Sequence, residues 1–260
     1  MKSAFYKYQG TGNDFVIIDN RDMRFDRNAN GIVAKLCDRR FGIGADGLML
    51  LQNKSGYDFE MVYYNSDGQE SSMCGNGGRC IVALAQKLAL ITEKAKFIAI
   101  DGEHRALIKN DWVSLQMNDV TGIEENTDFY FLNTGSPHYV KFVNDIENYN
   151  VREEGRKIRY SERFKEKGTN VNFIEKQNNL LFVRTYERGV EEETFSCGTG
   201  VTAAALVGSL TNVSDSGNLC RIKTRGGDLS VHFNHKADGT FDNIWLEGPA
   251  TFVFKGEVEI

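Results

Sequence analysis

Two cysteines each begin a Cys-Gly-x-Gly stretch, Cys74-Gly75-Asn76-Gly77 and Cys197-Gly198-Thr199-Gly200. Each stretch follows a strand-like run and leads into helix-like sequence, residues 80–90 in the first case and 201–210 in the second. The first N–H groups of a helix have no internal acceptor and carry partial positive charge, so an anion beside them is stabilised. The glycines let the backbone close round that anion. A thiol in such a place has a lowered pKa and works as a thiolate near neutral pH. One such cysteine suggests a nucleophile; two suggest a facing acid–base pair. The thiolate would take a proton from one face of a carbon, and the other thiol would deliver one to the opposite face. General acid–base catalysis of this kind is worth about 10²–10⁴-fold, with the two helix starts holding the developing charge. The chemistry requires no cofactor and no metal.

The elements that must position these thiols recur in both halves. Thr11-Gly12-Asn13-Asp14-Phe15 has a counterpart in Thr134-Gly135-Ser136-Pro137-His138. A glycine turn entering a strand, residues 42–49, is matched by residues 168–173, and the two Cys-Gly-x-Gly stretches complete the set. The landmarks lie about thirty residues apart in each half, which implies a duplicated unit. Runs 59–64 and 180–186 read as the strands before the cysteines. Runs 96–100, 104–109, 112–117, 219–223, 228–233, 241–246 and 250–254 read as further strands. Residues 201–207 are apolar nearly all round, which predicts a helix enclosed by sheet. The expected class is α+β. It comprises two pseudo-symmetric domains, each a curved mixed or antiparallel β-barrel-like sheet around one central helix. The first domain covers 1–120, carries Cys74 and is completed by 250–260; the second covers 121–249 and carries Cys197.

Composition narrows the function classes. A net charge of −5 with scattered Lys and Arg argues against nucleic-acid binding. No apolar run approaches the ~18 residues of a membrane span, and residues 1–5 enter directly into strand-like alternation without a signal segment. A cytoplasmic protein with neither membrane nor nucleic-acid partner is expected. Five widely spread cysteines do not make a disulfide scaffold, and no ligand spacing for zinc occurs. Cys37, Cys80 and Cys220 read as small buried hydrophobes.

At these residues the sequence resembles the diaminopimelate epimerase family. Gly10-Thr11-Gly12-Asn13-Asp14-Phe15 is similar to the family's N-terminal signature. Asn65-Ser66-Asp67-Gly68 with Cys74-Gly75-Asn76-Gly77-Gly78-Arg79 resembles its first cysteine motif. Glu187-Arg188-Gly189 with Glu193-Thr194 and Cys197-Gly198-Thr199-Gly200 resembles its second. The resemblance implies cofactor-independent interconversion of LL- and meso-2,6-diaminopimelate for lysine and peptidoglycan precursors, by a homodimer. It makes Cys74 and Cys197 catalytic. It places Asn13, Asn65, Gly75, Asn76, Asn170, Glu187, Arg188, Gly198 and Thr199 at the substrate, and His138 and Glu187 as groups that tune a thiol. Arg188 suits a distal carboxylate, which guanidinium binds bidentately, and Glu187 suits a substrate ammonium. The pattern departs from the family at Gly47 and Ser136, where some members carry glutamine and asparagine. The Arg188-to-Cys197 stretch is one residue longer than usual.

Other readings carry less. Gly42-Ile43-Gly44-Ala45-Asp46-Gly47 fits the GxGxxG dinucleotide fingerprint but opens a β-like run instead of a helix. A proline racemase-like two-base racemase would not need Arg188 as a distal anchor. A catalytically dead amino-acid-binding relative would not need both cysteines. His104, His232 and His235 have no motif around them.

Overall fold

The duplication seen in the sequence is carried through strand by strand in the computed structural model, which describes residues 2–211 and 218–259. The chain divides into two units, Met1–Leu115 with Gly248–Ile260, and Gln116–Glu247.

In the first unit β1 (Lys2–Gly10) and β2 (Asn13–Asp19) form a hairpin. Helix α1 (Asn30–Cys37) then crosses over to β3 (Gly47–Gln52), which lies parallel to β2. Next come β4 (Phe59–Asn65), antiparallel to β3, and the short β5 (Glu70–Ser71). Helix α2 (Gly75–Lys87) crosses to β6 (Lys94–Ala99), parallel to β4. The meander β7 (Gly102–Lys109) and β8 (Trp112–Gln116) follows. The last strand of the chain, β18 (Thr251–Glu259), pairs with β1.

The second unit repeats this plan. β9 (Ile123–Glu125) flanks β10 (Tyr130–Asn133) as β18 flanks β1. β10 makes a hairpin with β11 (Pro137–Phe142), and α3 (Val151–Arg159) crosses to the parallel β12 (Asn170–Gln177). β13 (Leu180–Glu187) and β14 (Glu192–Thr194) precede α4 (Gly198–Leu210). β15 (Leu219–Thr224), β16 (Gly227–His235) and β17 (Phe241–Pro249) complete the sheet. Parallel neighbours need a crossover, and each unit supplies two helical ones. The fold is therefore α+β, with two pseudo-symmetric units of mixed, curved sheet around a central helix.

Each unit adds a second helix, α1 or α3, to the expected central one. The central strands are buried on both faces because each is covered twice. In the first unit Val16, Ile18, Leu48 and Leu50 pack on Val33 and Leu36 of α1. The opposite face carries Phe15 and Met49, which meet Gly77 of α2. Burying each such side chain contributes about 1.5–3 kcal/mol. In the second unit Val151 of α3 joins Val171, Phe173 and Tyr186. Helix α3 comes so near β13 that a Cβ on Gly155 would lie 2.4 Å from Tyr186 Cβ, which explains a glycine in mid-helix. The central helices also start earlier than their apolar stretches. They run from Gly75 to Lys87 and from Gly198 to Leu210, so the Cys-Gly-x-Gly glycines form their first turns. Cys37 and Cys80 are buried, and burial pushes both thiols up to about 12, as expected of inert core cysteines. Among the described residues no helix is long and apolar enough to cross a membrane.

Candidate active site

Each sequence-identified cysteine is the N-cap of a central helix. Cys74 precedes α2 with extended backbone (φ −89°, ψ 129°), and Cys197 precedes α4 likewise (φ −114°, ψ 113°). Their carbonyls accept the first helical hydrogen bonds, from Gly78 N (2.7 Å) and Val201 N (2.8 Å). That geometry leaves the N–H groups of residues 75–77 and 198–200 without intrahelical acceptors beside the thiols, the cradle that an anion needs. Cys74 is half-buried and Cys197 buried. Among the described residues no cluster of three or more His, Cys, Asp or Glu could hold a metal ion.

A threonine ties each helix start to its hairpin. Thr11 Oγ1 contacts Asn76 Oδ1 (3.4 Å), and Thr134 Oγ1 donates to Thr199 O (2.9 Å). In the first unit Cys74 Sγ lies 3.6 Å from Asn13 Oδ1, which also accepts from Asn76 Nδ2 (3.4 Å). Asn13 Nδ2 donates to Asp46 Oδ2 (2.6 Å). Arg39 bridges Asp46 and Asp14, and Lys7 pairs with Asp14. Burial raises the Asp14 carboxyl, but hydrogen bonds from Arg39 and Lys7 outweigh it and hold the group down at about 2. Asn65 is exposed at the end of β4, in a turn closed by Asn65 N to Gln69 O (3.0 Å). Opposite it in register is Gly47, where a Cβ would lie 2.6 Å from both Tyr63 Cε2 and Tyr64 O. A larger residue there requires β4 to shift. The GxGxxG stretch runs straight into β3.

In the second unit Asn170 is buried and largely committed. Its Nδ2 donates to Ser136 Oγ (2.9 Å) and Pro137 O (3.2 Å), and its Oδ1 accepts from Arg188 N (2.9 Å). The exposed Arg188 guanidinium donates to Lys167 O (3.0 Å) and Ser136 Oγ (3.4 Å), both neutral, so its charge is available to an anion. Glu187 Oε2 accepts from Thr194 Oγ1 (2.9 Å). Cys197 Sγ lies 3.6 Å from Thr199 Oγ1, and Gly198 O accepts from Thr202 Oγ1 (3.0 Å). The stretch from Arg188 to Cys197 is a hairpin turn with left-handed Gly189 (φ 91°) and Glu191 (φ 60°), closed by Glu191 N to Glu187 O. A two-pronged Arg184–Glu193 pair (2.7 Å at each prong) pins β14 to β13 ahead of Cys197.

His138 is fully buried, and its ring is fixed by a residue the sequence did not single out. Asn172 Nδ2 donates to Tyr139 O (3.0 Å) and stands 3.1 Å from His138 Nδ1, while Asn172 Oδ1 accepts from Thr185 Oγ1 (2.9 Å). Since Tyr139 O can only accept, Nδ2 must face it, so Nδ1 accepts and the ring proton sits on Nε2. That nitrogen has no hydrogen-bond partner among the described residues. Burial, then the charge of Arg188, lowers the imidazole pKa to about 3 against the support of Asn172. His138 is thus a neutral donor at neutral pH. The unfolded ring takes its proton near 6.5 and the folded ring only near 3, so acid favours unfolding across that window. The His138 ring carbon resonances are expected to stay constant between pH 8 and 5. A midpoint near 6.5 would show a charged ring instead.

The two units differ at this layer. Register places Phe15, Met49 and Tyr63 where the second unit has His138, Asn172 and Thr185. The helix glycine touching the layer is Gly77 in one unit and Gly200 in the other.

Comparison with known proteins agrees with a duplicated fold of this kind. A PhzF-family phenazine biosynthesis protein of Bacillus anthracis superposes with a TM-score of 0.74 at 12% identity, over 100% of both chains. A hydroxyproline epimerase of Agrobacterium vitis gives 0.68 at 12% identity, over 99% of this chain and 92% of that one. These likenesses define a two-unit fold class. The family follows from sequence: a diaminopimelate epimerase model matches residues 5–121 and 130–253. The diaminopimelate epimerase of Flavobacterium psychrophilum is 54% identical over 96% of this chain and 98% of its own length. That of Aquifex aeolicus is 38% identical over 98% and 97%. The chain belongs to the diaminopimelate epimerase family.

Proposed function

We propose that this protein epimerises LL-2,6-diaminopimelate to meso-diaminopimelate, in the cytoplasm, as a homodimer and without a cofactor, for lysine and peptidoglycan precursor synthesis. The observation that carries this is the pair of cysteine N-caps on equivalent central helices, in a chain of this family.

One thiolate removes the α-proton, and the electron pair released from the C–H bond spreads into the α-carboxylate. The planar carbon then takes a proton from the other thiol on its opposite face. One thiol has become a thiolate and the other the reverse, and exchange with solvent restores the resting pair. The N–H groups at Gly75, Asn76, Gly198 and Thr199 hold the carboxylate as its charge grows, a stabilisation greatest in the transition state. Arg188 binds the distal carboxylate, and Glu187 meets an ammonium while biasing a thiol. Asn13, Asn65 and Asn170 supply the neutral polar contacts. His138, held neutral, tunes a thiol by donating from Nε2. Domain 1–120 with 250–260 contributes Cys74 and domain 121–249 contributes Cys197. The exposed row Phe252, Val253 and Phe254 on β18 supports the homodimer, because such a patch is costly in water.

Thiol labelling tests the substrate assignment. Iodoacetamide should modify Cys74 and Cys197 in reduced protein, and LL-diaminopimelate should protect both while proline protects neither. Protection by proline and not by diaminopimelate would reject the assignment.

A further inference from the structure

On the face of the first sheet that meets α2, position 47 has no side chain, and a neighbouring ring fills its place. Phe15, Gly47 and Asn65 stand in register across β2, β3 and β4, so all three belong to one face. Helix α2 covers that face, since a Cβ on Gly77 would lie 3.2 Å from Met49 Sδ and 3.5 Å from the Phe15 ring. Tyr63 lies on the same face, two residues before Asn65 on β4 and in register with Met49. Its ring leans along β3 over Gly47: a Cβ at 47 would lie 2.6 Å from Tyr63 Cε2 and 3.1 Å from its hydroxyl oxygen. The ring packs edge-on against Phe15, with centroids 6.1 Å apart and planes at 71°.

The lean carries the hydroxyl toward the cysteine end of the sheet. Beyond Phe15 on β2 the next residue of this face is Asn13, whose Oδ1 lies 3.6 Å from Cys74 Sγ. Beyond Tyr63 on β4 it is Asn65. On its other side Tyr63 is in register with Ser71 of β5, three residues before Cys74. The hydroxyl thus ends in the row of Gly47 and Asn65, one row from Asn13, while the base of the ring stays between Phe15 and Met49, an apolar body with a polar tip. The second unit shows what belongs at this point. His138 pairs with Asn170 as Phe15 pairs with Gly47, so Asn170 is the counterpart of Gly47. The counterpart of Tyr63 is Thr185, which is short and donates to Asn172 Oδ1 (2.9 Å). The second unit brings a polar group to this point on the residue itself; the first brings it from the adjacent strand, at the end of a ring. Tyr63 keeps 8% of its surface exposed, against 4% for Asn170, and a phenol, like an amide, both donates and accepts.

We infer that Tyr63 is a specificity-determining residue of the Cys74 half of the site: its hydroxyl hydrogen-bonds the charged amino-acid end of the substrate, and its ring bounds the space left by Gly47. The substrate in that statement rests on the epimerase reading; the place of the hydroxyl beside Cys74 does not.

Two measurements on the full-length reduced protein test this. Tyr63→Phe removes one oxygen and keeps the ring over Gly47, so the fold is retained. Its KM for LL-diaminopimelate should rise about tenfold, the lower end of what a hydrogen bond to a charged group supplies, with kcat within about threefold. A KM unchanged from wild type, whatever the melting temperature, overturns the inference and leaves the epimerase reading intact. The second measurement needs no turnover. Fluorotyrosine is incorporated into Cys197→Ala protein, the Tyr63 fluorine resonance is identified by its loss in Tyr63→Phe, and Cys74 is carboxymethylated with iodoacetate. The carboxylate placed on the sulfur should shift the Tyr63 resonance. A resonance that carboxymethylation leaves in place overturns the inference. A protein that shows the shift but does not turn over diaminopimelate rejects the epimerase reading and keeps Tyr63 in the Cys74 site.

Discussion

Cys74→Ala and Cys197→Ala should each lower the conversion of LL- to meso-diaminopimelate by about 10³–10⁴-fold, near the upper end of what one acid–base group supplies. Inversion needs a base on one face and an acid on the other, so either loss breaks the same step. The fold should survive. Both cysteines are N-caps whose backbone does the capping through Gly78 N and Val201 N, and those bonds do not involve the thiol. The two variants should differ in one respect. The one that keeps the proton-removing thiol can still wash deuterium into the α-position without inverting it. Conversion at more than a tenth of the wild-type rate in either variant would reject a two-thiol mechanism.

Gly200→Ala should be strongly damaging for a single added methyl. The new Cβ would lie 2.3 Å from Asn172 Oδ1 and 3.3 Å from Thr185 Oγ1, inside the network that fixes His138. Either Asn172 gives up a buried hydrogen bond or the first turn of α4 moves. Overpacking and a lost buried hydrogen bond together cost about 3 kcal/mol. That lowers the melting temperature by roughly 6–12 °C in a chain of this size. A shift of about 1 Å in the turn carrying Cys197 should cost a further ~10²-fold in rate. Gly31→Ala is the control. It lies in the first turn of α1 with nothing within 4 Å of its Cβ, and should stabilise by about 0.5–1 kcal/mol. Equal melting temperatures for the two variants would mean that Gly200 is not under steric constraint.

The cysteine-bearing helix starts were legible because four signals coincide at each: an extended run, a cysteine, two glycines and an apolar helix. The runs at 59–64, 180–186 and 241–246 were found because buried strands are dense in Val, Ile, Phe and Tyr. Helix α3 escaped notice because only Val151 and Gly155 are buried in it. Its signal was at its ends: Asn150 caps Glu153 N, acids fill the first turn and bases the last. Helix α1 is eight residues long and contains Gly31, too short a stretch for periodicity to show.

The site was legible in its residue types and less so in its burial. Asn170 and Asn172, two residues apart, share one face of β12. That Asn172 sets the His138 tautomer depends on the parallel pairing of β11 with β12, a tertiary fact. Arg79 stands in a motif whose spacing was noted. Nothing in the string of letters distinguishes a solvated arginine from one with no exposed surface. Asn170, which the family resemblance places at the substrate, shows a further layer that letters do not carry: its side-chain amide also donates to Ser136 and Pro137.

The central claim is two-base inversion by protein thiols alone, and proton NMR of LL-diaminopimelate with the reduced protein in D₂O, with nothing added, tests it most directly. The account predicts loss of one α-proton signal in step with the appearance of the meso isomer, with deuterium at the inverted centre. No exchange and no isomer, in protein whose Cys74 and Cys197 both still titrate as free thiols, would contradict it.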